Sequence, residues 1–212
     1  DIPGDGGAIT ALKWTKGKVL QFRENSLYIV NVENVLAPVV EGVYQGMGVH
    51  GPYAVTETSY GVAWVNDTGV YSYNAEEGKA RSLTMGRIDT EDFQANSPHA
   101  NTKIGYDDRA KMLIVTNSTK YDTAGYHYAY SFITDAWCTW NGNKAHAAYV
   151  ETNFAIDHSG YLTGATDDGS TGGSASPLHI YKWSTTPSST PTIDYITKDI
   201  DMGKPSLDKR LY

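Results

Sequence analysis

Short runs in which apolar and polar residues alternate, each cut off by turn-forming residues, dominate this sequence and constrain it more than anything else. Val19-Leu20-Gln21-Phe22 and Leu27-Tyr28-Ile29-Val30 flank a polar loop at residues 23–26. Gly61-Val62-Ala63-Trp64-Val65 and Val70-Tyr71-Ser72-Tyr73 flank Asn66-Asp67-Thr68-Gly69, where Gly69 supplies the positive φ that a hairpin turn needs. Residues 112–116 and 126–130 repeat the pattern around a longer loop, and residues 154–156 and 161–163 surround Asp157-His158-Ser159-Gly160. Residues 178–183 add a further strand. No stretch of ten or more residues has a helical period. The pattern predicts an all-β fold with helix nearly absent.

The hairpins read as copies of one unit. Tyr28, Tyr71, Tyr128 and Tyr181 hold equivalent places in their closing strands, spaced 43, 57 and 53 residues apart. Units of about 40–50 residues, each a meander of about four strands, are the signature of a β-propeller blade. The excess length falls in loops at 117–125 and 166–176, the second rich in Gly, Ser, Thr and Asp. The expected organisation is one propeller-like domain over residues 1–212. Its blades lie near 9–50, 51–100, 101–145 and 146–200, with an exit strand at 201–212. An immunoglobulin-type sandwich competes, but it needs only about 100 residues and carries no unit of this length. The first residue is Asp1 and the last, Tyr212, ends an apparent strand, so the chain reads as part of a longer one.

Composition agrees with half-buried strands. Sixteen Tyr and 5 Trp stand against 4 Phe, a bias suited to rings that pack inward while a hydroxyl or indole N–H reaches a polar partner. Trp64, alternating with Val62, is expected in an interface between blades. Seventeen basic against 24 acidic residues leave a net charge of −7, and no cluster of Lys and Arg could grip phosphates. The densest basic stretch, residues 204–210, is diluted by Asp208. No apolar run approaches the roughly 18 residues of a membrane helix. The single cysteine, Cys138, allows no intramolecular disulfide and no multi-thiolate metal site. Set between Trp137 and Trp140, it is expected to be a packed, inert thiol.

The motifs dissolve when their mechanisms are applied. Gly46-Met47-Gly48-Val49-His50-Gly51 matches a dinucleotide fingerprint letter for letter, yet the next residues, Pro52-Tyr53-Ala54-Val55, read as a strand entry rather than a helix start. The stretch is expected to be a connector between blades. Six His, at 50, 99, 127, 146, 158 and 179, lack helical zinc spacing and any Cys-x-x-Cys companion. Gly-x-Ser-x-Gly is absent. Asp89-Thr90-Glu91-Asp92, residues 157–160 and Asp167-Asp168-Gly169-Ser170 are read as solvated turns, not as calcium loops or paired glycosidase acids. Asn66-Asp67-Thr68 and Asn117-Ser118-Thr119 fit the glycosylation sequon, a match that chance readily produces among so many Ser and Thr. The sequence therefore predicts no catalytic residue, no cofactor and no metal site.

Two stretches resemble a known family. Residues 9–30, from Ile9-Thr10-Ala11-Leu12 to Leu27-Tyr28-Ile29-Val30, resemble the blade opening of propeller domains in the tail, neck or nozzle proteins of tailed-bacteriophage virions. In that family a Gly-Pro connector comes next, then a Gly-Val-x-aromatic-Val…Asp-x-Gly-Val-Tyr hairpin, here Gly51-Pro52 and residues 61–73. Residues 196–212 are similar to the strand by which such chains leave the propeller. The resemblance implies a non-enzymatic virion structural protein, whose partners are other virion proteins or copies of itself, with no grip on nucleic acid or membrane. The loops at 117–125 and 166–176 depart from the compact pattern. The alternatives are a carbohydrate-binding propeller module, stacking Tyr and Trp on sugars, and a sialidase- or glycosidase-like hydrolase. A working surface is expected as an apolar patch or open strand edge near Leu211 and Tyr212.

Overall fold

The computed structural model describes residues 7–96, 102–117, 126–141, 154–167 and 178–183. They form four antiparallel meanders in chain order. Sheet 1 comprises β1 (Ile9–Thr15), β2 (Lys18–Arg23), β3 (Ser26–Asn31) and β4 (Val39–Gln45). Sheet 2 comprises β5 (Val55–Thr58), β6 (Gly61–Asn66), β7 (Gly69–Asn74) and β8 (Lys79–Ser82). Sheet 3 comprises β9 (Thr102–Asp107), β10 (Met112–Asn117), β11 (Tyr126–Ser131) and β12 (Ala136–Asn141). Sheet 4 has three described strands, β13 (Ala155–Ile156), β14 (Leu162–Asp167) and β15 (Leu178–Lys182). The fold is all-β with almost no helix.

Turn chemistry sets the register. β1 and β2 are joined by Lys16-Gly17, both at positive φ, the backbone that a two-residue hairpin loop requires. At the β6–β7 turn, Asn66 Oδ1 accepts hydrogen bonds from the Thr68 N–H and hydroxyl. Gly69 comes next at φ +152, where a Cβ would lie 2.3 Å from Thr84 Oγ1.

The sheets stack face to face. Opposite residues of an antiparallel pair share a face, so each sheet has two sets of side chains. Leu20, Phe22, Leu27 and Ile29 point from sheet 1 to sheet 2, where Phe22 meets Trp64 edge-on with centroids 5.4 Å apart. Trp64 is fully buried, as expected of an interface residue, and stacks on Tyr71 within its own sheet. The other side of sheet 2, with Ala63, Val65 and Val70, belongs to the same core as Tyr106, Leu113, Val115, Tyr128 and Tyr130 of sheet 3. The far side of sheet 3, Ile114 and Ala129, packs against Leu162 of sheet 4. Gly105 makes room there: a Cβ would lie 2.5 Å from the Phe154 ring. Sheet 2 is thus covered on both sides, and β6 is buried from Val62 to Asn66. The sequence still alternates there, but between two partners rather than between core and solvent.

Two readings need correction. The acidic stretch at 89–92 is not a simple turn. Asp89 Oδ1 accepts from the Glu91 and Asp92 N–H groups and caps a seven-residue helix, α1 (Thr90–Asn96), which buries Phe93 against Tyr128. Pro52–Ala54 forms a turn of 3₁₀ helix, and the strand starts only at Val55. The proposed exit strand 201–212 lies outside the described residues.

Candidate functional site

Among the residues considered for chemistry, residues 46–51, Asn66 and Asp157 are used in turns and packing, whereas His99, His146, Asp168 and Gly169-Ser170 lie outside the described residues, as does the side chain of His179. Residues 46–51 connect sheets 1 and 2, and Gly48 sits where a Cβ would meet the Arg23 carbonyl oxygen at 2.3 Å. Asn66 of the first sequon is buried and donates from Nδ2 to the Gly46 and Gly48 carbonyls, 2.9 and 3.1 Å away. Asp157 Oδ1 accepts from the Ser159 and Tyr161 N–H groups, while Oδ2 pairs with Lys182 at 3.1 Å. These bonds hold its carboxyl below the usual range, the Tyr161 backbone bond contributing most. The side chains of His127 and Asn117, and most of the loops 117–125 and 166–176, lie outside the described residues, as do Leu211 and Tyr212. Among the described residues no three of His, Cys, Asp and Glu converge as metal ligands.

Cys138 corrects a prediction. It is exposed rather than packed. It lies opposite Ala129 in β12, the outermost strand of its sheet. Neighbouring atoms still desolvate the sulfur enough to push the thiol pKa up.

Polar clamps pin the stack at its rims. Arg87, after β8, makes a forked contact with Asp135 of the β11–β12 turn, with Nη1 donating to Oδ1 at 2.8 Å. The Tyr130 hydroxyl donates to the same carboxylate, and Trp137 Nε1 donates to the Leu83 carbonyl at 2.8 Å. The Arg87 guanidinium, and secondarily the Tyr130 hydroxyl, lower the Asp135 pKa to about 2. Ser59 and Tyr106 share a hydroxyl–hydroxyl bond of 2.5 Å across sheets 2 and 3, beside Tyr60 stacked on Phe132. Between sheets 3 and 4, the Arg109 guanidinium lies 4.1 Å from the Tyr161 ring centroid, with Lys182 Nζ at 4.3 Å. Apart from the Tyr130–Asp135 bond and the Lys182–Tyr161 contact, which lie within a sheet, these contacts join different sheets far apart in sequence, so no local motif reveals them.

One surface breaks the pattern of covered faces. The side of sheet 1 turned away from sheet 2 carries two rows that run across all four strands. In register these are Leu12, Gln21, Tyr28 and Val43, then Trp14, Val19, Val30 and Val40. Six of the eight are aliphatic or Trp, a core-like composition. Yet Trp14 is 65% exposed and Leu12 57%, and Val40 and Val43 are exposed too. Tyr28 alone is buried there, under the Arg23 guanidinium 5.2 Å from its ring centroid. Gln21 Nε2 is shielded from solvent and finds no hydrogen-bond partner among the described residues. The patch expected near Leu211 and Tyr212 falls outside the described residues, and the exposed apolar face that is described lies on the first sheet instead. Trp14 was the signal in the sequence, a large ring in a two-sided strand, but exposure could not be read from it.

No family model matches the chain, and no curated protein matches it. Among solved structures it is similar to one described as the extracellular domain of the hybrid two-component system BT4673 from B. thetaiotaomicron. That match has a TM-score of 0.47 and 16% identity, covering 83% of this chain and 21% of the other. A second, described as the extracellular domain of the one-component system BT4673 from the same organism, gives 0.48 and 17%, covering 94% and 23%. The chain thus spans under a quarter of the length of either structure. Likeness at this level carries no argument about function, and neither structure connects the chain to phage assemblies.

Proposed function

We propose that the chain is a non-enzymatic structural module, an array of propeller blades in the tail or neck of a tailed-phage virion, working by binding other proteins. The observation that carries this reading is the exposed apolar face of sheet 1, built like an interior and placed at a surface. Contiguous exposed apolar patches larger than those a monomer usually shows mark interaction sites. The successive antiparallel meanders support the blade reading, because the second and third sheets are covered on both faces by their neighbours, the logic of propeller stability. The hairpin likeness of residues 9–30 and 61–73 to phage propeller proteins supports the virion setting. A net charge of −7 suits a component that lies near DNA without holding it.

The test is direct. Antibodies raised against the recombinant chain are used to probe density-gradient-purified particles of the source phage. The expected result is a band at particle density, in fixed ratio to the major tail proteins. Absence from the particles overturns the reading. So does specific retention of a glycan by the folded chain, or hydrolysis of a glycoside or ester that disappears on mutating one carboxylate or serine.

A further inference from the structure

The turns between third and fourth strands can be compared within the molecule. In sheets 2 and 3 this turn takes four residues, 75–78 and 132–135. In sheet 1 it takes seven, 32–38, and the extra length carries Val35 and Leu36, which are 83% and 96% exposed. The loop is pinned by its own polar groups. The Glu33 N–H donates to Asn31 Oδ1 at 2.9 Å, the Leu36 N–H to Asn34 Oδ1 at 3.1 Å and the Ala37 N–H to the Asn34 carbonyl at 3.0 Å. Two aliphatic side chains are thereby held out in water, and neither joins a hydrophobic cluster of the described residues.

The strand that follows departs in the same direction. β8, the fourth strand of sheet 2, is four residues long and carries Lys79 and Arg81, the short, charged form in which an outermost strand resists pairing with another chain. β4 runs for seven residues with no Lys or Arg, and its Val39, Val40 and Val43 are exposed. Among the described residues its one ladder is with β3. The register shifts at Glu41, whose carboxylate takes Lys18 at 2.6 Å and Asn31 Nδ2 at 2.7 Å. Gly42–Gln45 remain as a regular run, with alternate backbone N–H and C=O groups directed away from β3. Charge narrows the partner. From residue 24 to residue 78 the chain has seven acidic residues and no Lys or Arg, against 17 of each sign elsewhere. Lys13, Lys16 and Lys18 are already paired with Glu57, Glu76 and Glu41, whereas Glu33 in the loop has no ion pair among the described residues.

We infer that the β3–β4 hairpin is a docking edge for a different protein, which adds an extended segment along β4, sets apolar side chains against Val35, Leu36 and Val40, and brings a Lys or Arg to Glu33. This rests on the protein-binding reading above and names the chemistry of its partner. A row of alternating backbone donors and acceptors is matched in full only by another extended backbone, and such main-chain pairing tolerates variation in the partner's sequence. A loop already held in place loses little freedom on binding. A second copy is the poorer occupant, because its own hairpin would bring Glu33 and Glu41 and no Lys or Arg.

The experiment is an NMR titration of the ¹⁵N-labelled 212-residue chain with a short capped peptide of alternating Val and Thr, Lys at both ends. The expected result is saturable shifts confined to residues 32–45 and the adjoining β3, slower amide hydrogen exchange in residues 42–45, and a Kd below about 1 mM. Leu36→Asp and Val40→Lys, both at exposed positions and checked for folding by circular dichroism, should each weaken binding at least about tenfold. The same peptide with alternate amides N-methylated should not bind, since it cannot complete the ladder. No saturable shift with the parent peptide overturns the inference. Equal binding by the N-methylated peptide, or by one with Glu in place of Lys, overturns it as well. Shifts in residues 32–45 that grow with protein concentration alone would assign the edge to a second copy and also overturn it. None of these results touches the particle assay, which decides the virion reading separately.

Discussion

Trp64→Ala isolates the energy of one sheet junction. The ring is fully buried between Phe22 of sheet 1 and Tyr71 of its own sheet. Replacing it with Ala removes about 150–200 Å² of buried surface, about 4–5 kcal/mol at 25 cal/mol per Å². Loss of the edge-on pair with Phe22 adds about 1 kcal/mol. One term opposes: Trp64 Nε1 is buried and finds no hydrogen-bond partner among the described residues, and removing that donor returns about 1–2 kcal/mol. The net expectation is a loss of about 3–5 kcal/mol, in line with large-to-small changes in well-packed cores. Urea titration followed by far-ultraviolet circular dichroism would show the midpoint falling by about 2 M if m is near 2 kcal/mol/M. Trp64→Phe is the control. It keeps an aromatic ring against Phe22 and deletes the unpartnered N–H, so its cost should stay within about 1 kcal/mol. A loss below about 1 kcal/mol for Trp64→Ala would refute burial at the junction. Equal losses for Ala and Phe would refute the unpartnered indole.

Three single contacts set further expected outcomes. Asp135 is held near pKa 2 by Arg87 and Tyr130, so the folded carboxylate binds its proton more weakly than the unfolded one. Its stabilisation is complete above about pH 4 and lost as pH falls towards 2; because the pair is partly exposed, Asp135→Asn should cost only about 0.5–1 kcal/mol at pH 7 and the difference should shrink in acid denaturation curves. Gly61 sits at φ +126 with its would-be Cβ 2.1 Å from the Tyr73 carbonyl oxygen, so Gly61→Ala should lower stability by at least about 2 kcal/mol in thermal or urea unfolding. Cys138 should titrate as one thiol per native chain with Ellman's reagent, faster as pH rises towards its elevated pKa, and a native protein that needs denaturant to react would contradict its exposure.

Local chemistry in the sequence was enough to determine the central hairpins β2–β3, β6–β7 and β10–β11, the strands β13–β15, and the equivalence of Tyr28, Tyr71, Tyr128 and Tyr181, each of which falls in the third strand of its sheet; the flanking strands β1, β4, β5, β8, β9 and β12 became visible only in the structure. Alternation and turn residues act over two to six positions, and both are written in the order of the chain. Helix α1 escaped because seven residues with one apolar anchor, Phe93, show no period, although Asp89 three residues before Asp92 was a legible cap. Cys138 was misjudged for a different reason. Its neighbours in sequence, Trp137 and Thr139, point to the other side of the sheet, and the surroundings of its own side depend on how far the next sheet extends. The same limit applies to the candidate surface. Trp64 and Trp14 look alike in sequence, each a Trp in an alternating strand, and one is fully buried while the other is 65% exposed. Which face of a strand finds a neighbour is decided by the position of its sheet in the stack. Side-chain direction is a property of the strand, but cover is a property of everything packed against it.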